Sequence, residues 1–382
     1  MLKLLKGGEC YAPEYIGKKD VAVACDKIFK VEEHIPEERL YDAEIIDCEG
    51  MLVCPGFIDQ HLHITGGGGE NGPASRIAEI SVEEIVSAGV STVVGLLGMD
   101  SITRGVAGLL AKARGLEKEG VNTFIYTGSY GVPTESLTGK VINDLVYIDK
   151  VIGVGEIAIA DYRSSHPSVA MLKELAWEAR VGGMMGGKAG VLHIHVGDGK
   201  KGIEPLLELI NDSDFPKSMF VPTHLNRNAD LFNQAVEFGK NGGNVDLTAG
   251  EKTGKGYSVP DAMERLLAAG VVIDRITVSS DGNGSMPSED GSGLAVGSIM
   301  ELFNDIRSCM LEKKIGLETA LKAVTVNVAR LLGIHPQKGI IKAGSDADLL
   351  VLDKHSLEIR KMLIGGRLVM DGSRLLIKST YK

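Results

Sequence analysis

His61 and His63 stand one residue apart in the stretch Pro55–Glu70, PGFIDQHLHITGGGGE. The preceding Phe57-Ile58-Asp59-Gln60 has the apolar, β-forming look of a short buried strand. Side chains two apart on a strand point the same way. The two imidazoles therefore leave the strand end together, with Leu62 turned back into packing. Neutral imidazole is the commonest protein metal ligand, so a metal site is one chemistry this pair offers. Two polar residues at a strand edge is the other.

Histidines and carboxylates recur at the ends of later apolar runs. Val151–Ala160, VIGVGEIAIA, carries Glu156 in otherwise apolar company. His193-Ile194-His195 ends the next run, Thr223-His224 the one after, and Ser279-Ser280-Asp281-Gly282 the last. Of nine histidines, five fall at three such ends, and His34, His166, His335 and His355 lie elsewhere. This clustering favours the metal reading. A pair of divalent cations needs His and carboxylate ligands, plus a carboxylate able to span both. Two cations ~3.5–4 Å apart can hold a bridging hydroxide and polarise a carbonyl. One further carboxylate must take the proton from that hydroxide and pass it to a leaving amine. Asp281 is the natural candidate.

Such a set needs a frame that brings distant strand ends to one rim. From Pro55 to about Leu332, short apolar strands alternate with amphipathic helices. After the first strand, strands are expected at Thr92–Gly98, Thr123–Ser129, Ile152–Ala160, Gly190–Gly197, Phe220–Leu225, Asn244–Gly250 and Ile276–Gly282. Helices fit between them at Val106–Lys118, Ser168–Arg180, Glu204–Ile210, Asn228–Phe238 and Pro260–Ala269. Ser81-Val82-Glu83-Glu84 is a capping box that opens a further helix to about Ala88. Eight strands in this alternation predict an α/β fold, a (β/α)8 TIM-like barrel with its active site at the carboxyl ends of the strands. Residues 1–54 read as short strands without helical periodicity, and strand patterns return at Ala347–Leu352 and Arg367–Met370. The two chain ends, 1–54 and 335–382, are therefore expected to form a small β-sandwich domain beside a barrel of 55–334.

Composition narrows the partners. A chain of 382 residues exceeds what one core usually serves, which suits a large and a small domain. The net charge of -10, with no block of Lys or Arg, argues against nucleic acid or an anionic membrane as the main partner. A small anionic substrate held by single arginines stays open. No apolar stretch reaches the ~18 residues of a membrane span. Met1–Lys6 lacks the apolar length and cleavage pattern of a signal peptide. Cys10, Cys25, Cys48, Cys54 and Cys309 are odd in number and form no C-x-x-C pair, so they read as reduced thiols of a cytoplasmic protein.

The P-G-F-I-D-x-H-x-H opening, the His at strands five and six and the Asp of strand eight resemble the amidohydrolase superfamily. Within it, PGFIDQHLHITGGGGENGP, VVGLLG, TGSYGVP, DYRS, VGGMMGGKAGV, HVGD, PTHLNRN and SSDGNGS look like the bacterial isoaspartyl (metallo-β-aspartyl) dipeptidases over nearly the whole length. The ending IKAGSDADLLVLD is shared superfamily-wide. The resemblance implies a hydrolase with two Zn2+ per subunit, or another divalent metal, that cleaves the β-linked amide of small β-aspartyl dipeptides by attack of a metal-bridging hydroxide. By the same likeness, His61 and His63 bind one zinc, and His195 and His224 the other. Asp281 binds metal and is the general acid/base. Glu70 takes the substrate α-amino group, and Arg163 and Arg227 hold its carboxylates. Tyr130 donates to the scissile carbonyl, and Ser285 and the backbone at Gly68 line the pocket. His193 matches no ligand and either supports the site from behind or simply packs. Relatives form large homo-oligomers, and the same is expected here.

Two positions depart from the pattern. The family usually carries a carbamylated lysine on strand four as the ligand shared by both metals. Here Glu156 matches that position if one residue is inserted nearby, and the nearest lysine, Lys150, lies six residues earlier. A glutamate offers the same terminal carboxylate on a shorter stem. Met99 follows VVGLLG where relatives carry a small hydroxyl residue near the substrate. It keeps open an alternative within the superfamily, a deacylase or cyclic amidase acting on N-acyl amino acids or ring amides. A silent scaffold would have lost ligands, and this chain retains them. Gly182–Lys188, GGMMGGK, has phosphate-loop spacing but Ala189 where Ser or Thr must bind magnesium, and a helix precedes it. It reads as a glycine-rich turn before strand five.

Overall fold

The computed structural model describes residues 2–252, 254–288 and 293–380. Eight parallel strands alternate with helices: β1 (Phe57–Leu62), β2 (Val90–Gly95), β3 (Asn122–Thr127), β4 (Val151–Ile159), β5 (Val191–Val196), β6 (Phe220–Thr223), β7 (Val245–Thr248) and β8 (Ile276–Ser279). All their residues are buried except Asn122 and Phe124, which are half-buried. Strands covered on both faces lose the apolar–polar alternation, which is why they appear in the sequence as continuous apolar runs. β1 to β6 form one sheet in chain order, and β7 pairs with β8. Two seams close the ring. Leu225 N donates to Asp246 O at 3.3 Å between β6 and β7. Leu62 bridges Gly282, and His63 N donates to Gly282 O at 3.0 Å, between β8 and β1.

The helices pack their apolar faces on the outside of this ring. Ser81 and Glu84 form the expected capping box on Val82–Ser87. Asn228 caps Ala229–Lys240 and Ser258 caps Val259–Ala268 by accepting from the backbone three residues on. The helix capped by Ser168 is longer than the sequence suggests. It runs Val169–Gly186, with Gly187 in the left-handed conformation after it, so Gly182–Lys188 is mostly helix rather than a turn. Close packing explains those glycines. A Cβ on Gly182 would stand 2.9 Å from Leu145 Cβ, and one on Gly183 2.6 Å from Gly190 Cα.

The inside of the ring is polar. Asp246 of β7 is fully buried and accepts from four side chains: Gln60 Nε2 (2.6 Å), Thr277 Oγ1 (2.6 Å), Thr223 Oγ1 (2.7 Å) and Ser279 Oγ (2.7 Å). These donors come from β1, β6 and β8, so one carboxylate ties the last strands to the first across the centre. A separate nine-stranded sheet joins the chain ends. Its seam is Leu349–Asp353 running antiparallel to Met51–Pro55, with Val351 opposite Val53. No helix of the described residues is long and apolar enough to cross a membrane.

Candidate metal centre and active site

β1, β4, β5, β6 and β8 deliver His61, His63, Glu156, His195, His224 and Asp281 to one buried cluster. Three overlapping groups each bring their ligand atoms within 4.8 Å of one another: His61–His63–Glu156, His61–His224–Asp281 and Glu156–His195–His224. Glu156 divides its two oxygens between the histidine pairs. Oε1 lies 2.6 Å from His195 Nδ1 and 3.1 Å from His224 Nε2. Oε2 lies 3.5 Å from His61 Nε2 and 3.8 Å from His63 Nε2. Asp281 Oδ1 stands opposite, 3.3 Å from His61 Nε2 and 3.1 Å from His63 Nε2. His224 and Asp281 have φ of 61° and 50°, a region that non-glycine residues rarely occupy and that concentrates at functional sites.

The local fold of β4 accounts for Glu156. Its register against β5 passes from Leu192 opposite Val154 to Ile194 opposite Ile157, so Gly155 and Glu156 together face His193 alone. This is a β-bulge, which adds one residue and re-aims a side chain. Gly155 makes the close approach possible, since a Cβ there would fall 2.7 Å from His193 Cβ. Lys150 sits at the far, amino end of β4 and donates to Thr123 O at 3.0 Å, away from the cluster.

Three of the four ligand rings, His61, His195 and His224, are held from behind, while His63 Nδ1 is buried without a hydrogen-bond partner among the described residues. His193 Nε2 is 2.8 Å from His61 Nδ1, and its ring stacks on Tyr126 at 5.1 Å, so His193 supports a ligand rather than joining the set. Thr248 Oγ1 lies 2.7 Å from His224 Nδ1. Asp161, which the sequence reading passed over within DYRS, lies 2.9 Å from His195 Nε2 and also accepts from Arg163 Nε and Nη2. The available signal was a carboxylate at the end of the strand that carries Glu156. Such contacts fix which nitrogen faces a cation. Burial would raise the Glu156 carboxyl, but the His61 and His195 rings facing it hold it well below the usual carboxylate range. Burial, with Arg227 nearby, pushes His224 down to about 3, the neutral form that ligates metal.

A cleft opens over the cluster. Gly68, Glu70, Met99, Tyr130, Arg163, Arg227, Asp281 and Ser285 all line it, so every substrate-facing residue expected from the sequence meets at this rim. Toward solvent the cleft widens into a chamber of about 340 Å³ that shares Arg163, Arg227, Asp281 and Ser285. Glu70 accepts from Arg163 Nη1 at 3.1 Å and from Ser285 Oγ. Arg163 therefore pairs with Asp161 and Glu70 and not with Glu156. Arg227 Nη1 donates to Val196 O at 3.2 Å. Tyr130 Oη is 3.0 Å from His195 Nδ1, pointing into the cluster. Gly68 has φ +82°, and a Cβ there would strike Ser75 O at 2.2 Å, so the backbone passes the pocket without a side chain.

The residues fit a bound metal. His61 Nε2 and Glu156 Oε2 are buried, 3.5 Å apart, and without a hydrogen-bond partner among the described residues. Buried polar atoms are rarely left so, and a cation between them would satisfy both. The donor set of imidazoles and carboxylates is the set that zinc and similar divalent ions take.

The sequence profile of the Amidohydrolase family matches residues 52–369. Among solved structures, the β-aspartyl dipeptidase of Fervidobacterium islandicum, crystallised with β-Asp-Leu, superposes with a TM-score of 0.91 at 45% identity, covering 98% of both chains. Among curated proteins, 79 residues align with bovine N-acetylglucosamine-6-phosphate deacetylase at 37% identity, 21% of this chain and 19% of that protein. Adenine deaminase 2 of Agrobacterium fabrum aligns over 358 residues at 24% identity, 90% of this chain and 52% of that protein. The chain thus spans a fifth to a half of the length of these curated relatives.

Proposed function

We propose, from the premise that the chain belongs to the amidohydrolase family, that it is a metal-dependent dipeptidase which hydrolyses β-aspartyl (isoaspartyl) dipeptides. The observation that carries this reading is the meeting of the metal-ligand set with Glu70, Arg163 and Arg227 in one cleft. Whole-length likeness to a protein crystallised with β-Asp-Leu supports the substrate class. His61 and His63 would hold one zinc, and His195 and His224 a second, with Glu156 shared between them in place of a carbamylated lysine. The pair, when bound, supplies Lewis acidity and a water that ionises near neutral pH.

The chain's own groups do the rest. Burial would raise the Asp281 carboxyl, but His61 and His63 hold it well below the usual range, so it stands ionised and ready to accept a proton from the attacking water. The same carboxyl then delivers that proton to the leaving amine. Burial, and then the Glu156 charge, raise the Tyr130 hydroxyl well above its ordinary value, so it keeps its proton and donates to the scissile carbonyl oxygen. Glu70 and Arg163 pair with each other at 3.1 Å. An end group bearing an ammonium and a carboxylate can enter between them and give each a new partner, which selects short zwitterionic peptides. Ser285 and the Gly68 backbone complete the pocket wall.

Assay of the metal-loaded protein against β-Asp-Leu and α-Asp-Leu tests the proposal. Faster hydrolysis of the β-linked compound is expected, and equal rates would refute the substrate class. Met99 in the cleft wall favours a second reading, a deacylase or cyclic amidase. Turnover of N-acyl amino acids or hydantoins above that of β-Asp-Leu would select it. A cytoplasmic setting, a homo-oligomeric assembly and a distinct small domain of 1–54 with 335–382 belong to the same proposal. Five free cysteines support the first, and exposed Trp177, Met184 and Met185 on one helix support the second. The sheet shared by the chain ends supports the third.

A further inference from the structure

The far end of the barrel holds a second polar cavity, of about 390 Å³, at the amino ends of β5 to β8. Arg180 of helix Val169–Gly186, Arg275 just ahead of β8 and Arg330 of helix Val326–Leu331 line it, with Asp274 as the one carboxylate. Three arginines against one aspartate leave a positive excess on a chain of net charge -10. The arginines are poorly neutralised. Arg180 makes no ion pair or hydrogen bond among the described residues. Arg330 Nη1 and Asp274 Oδ2 are 3.9 Å apart, with both side chains more than half exposed, a pairing of little strength. Arg275 Nη1 is steered by Asn244 Oδ1 at 3.4 Å, and the Asn244 amide is itself fixed by donating to Ser218 O and Phe220 O at 3.0 Å.

We propose that this cavity binds a small anion with two negative charges and a proton to donate, such as hydrogenphosphate or a hydroxy-dicarboxylate. Planar guanidinium forks match the paired oxygens of phosphate and carboxylate. The wall also holds acceptors, which an oxyanion without a proton cannot satisfy. Asp274 is one. Asn327 Oδ1 is another: it is buried without a donor among the described residues, while its amide nitrogen is engaged by Ile273 O at 2.7 Å and Ile276 O at 2.9 Å. The ligand is no substrate. Thr277 in this wall bonds to Asp246, and the four-donor Asp246 network fills the barrel between cavity and metal centre. Bound there, the anion ties two helices to the start of β8 and stabilises the fold by mass action.

Titration calorimetry on the full, metal-loaded protein at fixed ionic strength reads the site. Probes are inorganic phosphate against sulfate, and malate against succinate, pairs that differ in carrying a donor. Saturable binding of phosphate or malate is expected, tighter than for its donor-free counterpart. Loss of a charge-assisted contact in Arg180→Ala should weaken it about tenfold to a hundredfold, with dipeptidase activity unchanged. Arg180→Gln, which keeps part of the stem, guards against a folding defect. Phosphate binding alone assigns the site to inorganic phosphate, and malate binding alone to hydroxy-dicarboxylates. Anion binding at the metal centre would persist in both variants. Identical isotherms for wild type and variants, no saturable binding, or sulfate equal to phosphate would each overturn the proposal.

Discussion

Two carboxylates lie buried in the same barrel and do opposite things. Asp246 faces four neutral donors at 2.6–2.7 Å and is fully satisfied. Glu156 faces four imidazoles and keeps Oε2 without a donor. Hydroxyls and amides close a carboxylate off, whereas imidazoles surround it with atoms that can also turn to a cation. The difference separates a structural plug from a candidate metal ligand more sharply than burial does, since both residues are inaccessible to solvent.

The contrast breaks first at Glu156. Glu156→Ala should lose bound zinc by elemental analysis, and activity should fall roughly a thousandfold or more, the several kcal/mol that a metal pair contributes. Glu156→Lys sharpens the point, because it should regain metal only when bicarbonate is supplied to carbamylate the lysine. Full zinc content in Glu156→Ala would contradict the shared-ligand role. Asp246→Asn should behave in the opposite way. The amide must turn a donor toward groups that now donate to it, and only the hydroxyls can rotate to accept. A loss of about 2–3 kcal/mol in unfolding free energy is expected, measured by urea denaturation, with zinc content unchanged. Metal loss in Asp246→Asn without destabilisation would erase the distinction.

Much of this was legible in the sequence because strand ends announce themselves. His61 and His63 are two apart on one strand, and His195, His224 and Asp281 each close an apolar run, so period-two geometry and barrel logic placed them together. Glu156 was harder, because a bulge shifts it by one residue and a bulge leaves no local signature beyond a glycine. Asp161 and the role of His193 were not legible. The first needs the turn after β4 to bring a carboxylate under His195, and the second needs β1 and β5 to face each other across the barrel, which are non-local facts. The long Val169–Gly186 helix was misread at its glycines because their reason, close contact with Leu145 and Gly190, lies in tertiary packing.

A third carboxylate, half-buried, extends the comparison to its weakest case. Asp305, on helix Met300–Leu311, accepts from Gly250 N at 2.9 Å, on the loop that follows β7. Burial pushes its carboxyl up to about 6, and Glu301 and Glu312 nearby add to the rise against Lys252. An acid with a raised folded pKa binds its proton more tightly folded than unfolded, so folding stability falls as pH climbs from about 4 to about 6. Asp305→Asn removes that loss while its amide oxygen still accepts from Gly250. The variant should match wild type near pH 4 and gain on it through this window, by at most about 3 kcal/mol above pH 6.5 for a shift of about two units. Denaturation midpoints across the pH series measure the gain. A difference independent of pH would mean that Gly250 and its surroundings already satisfy the charge, which would place Asp305 with Asp246 and leave donor count, not donor kind, without force.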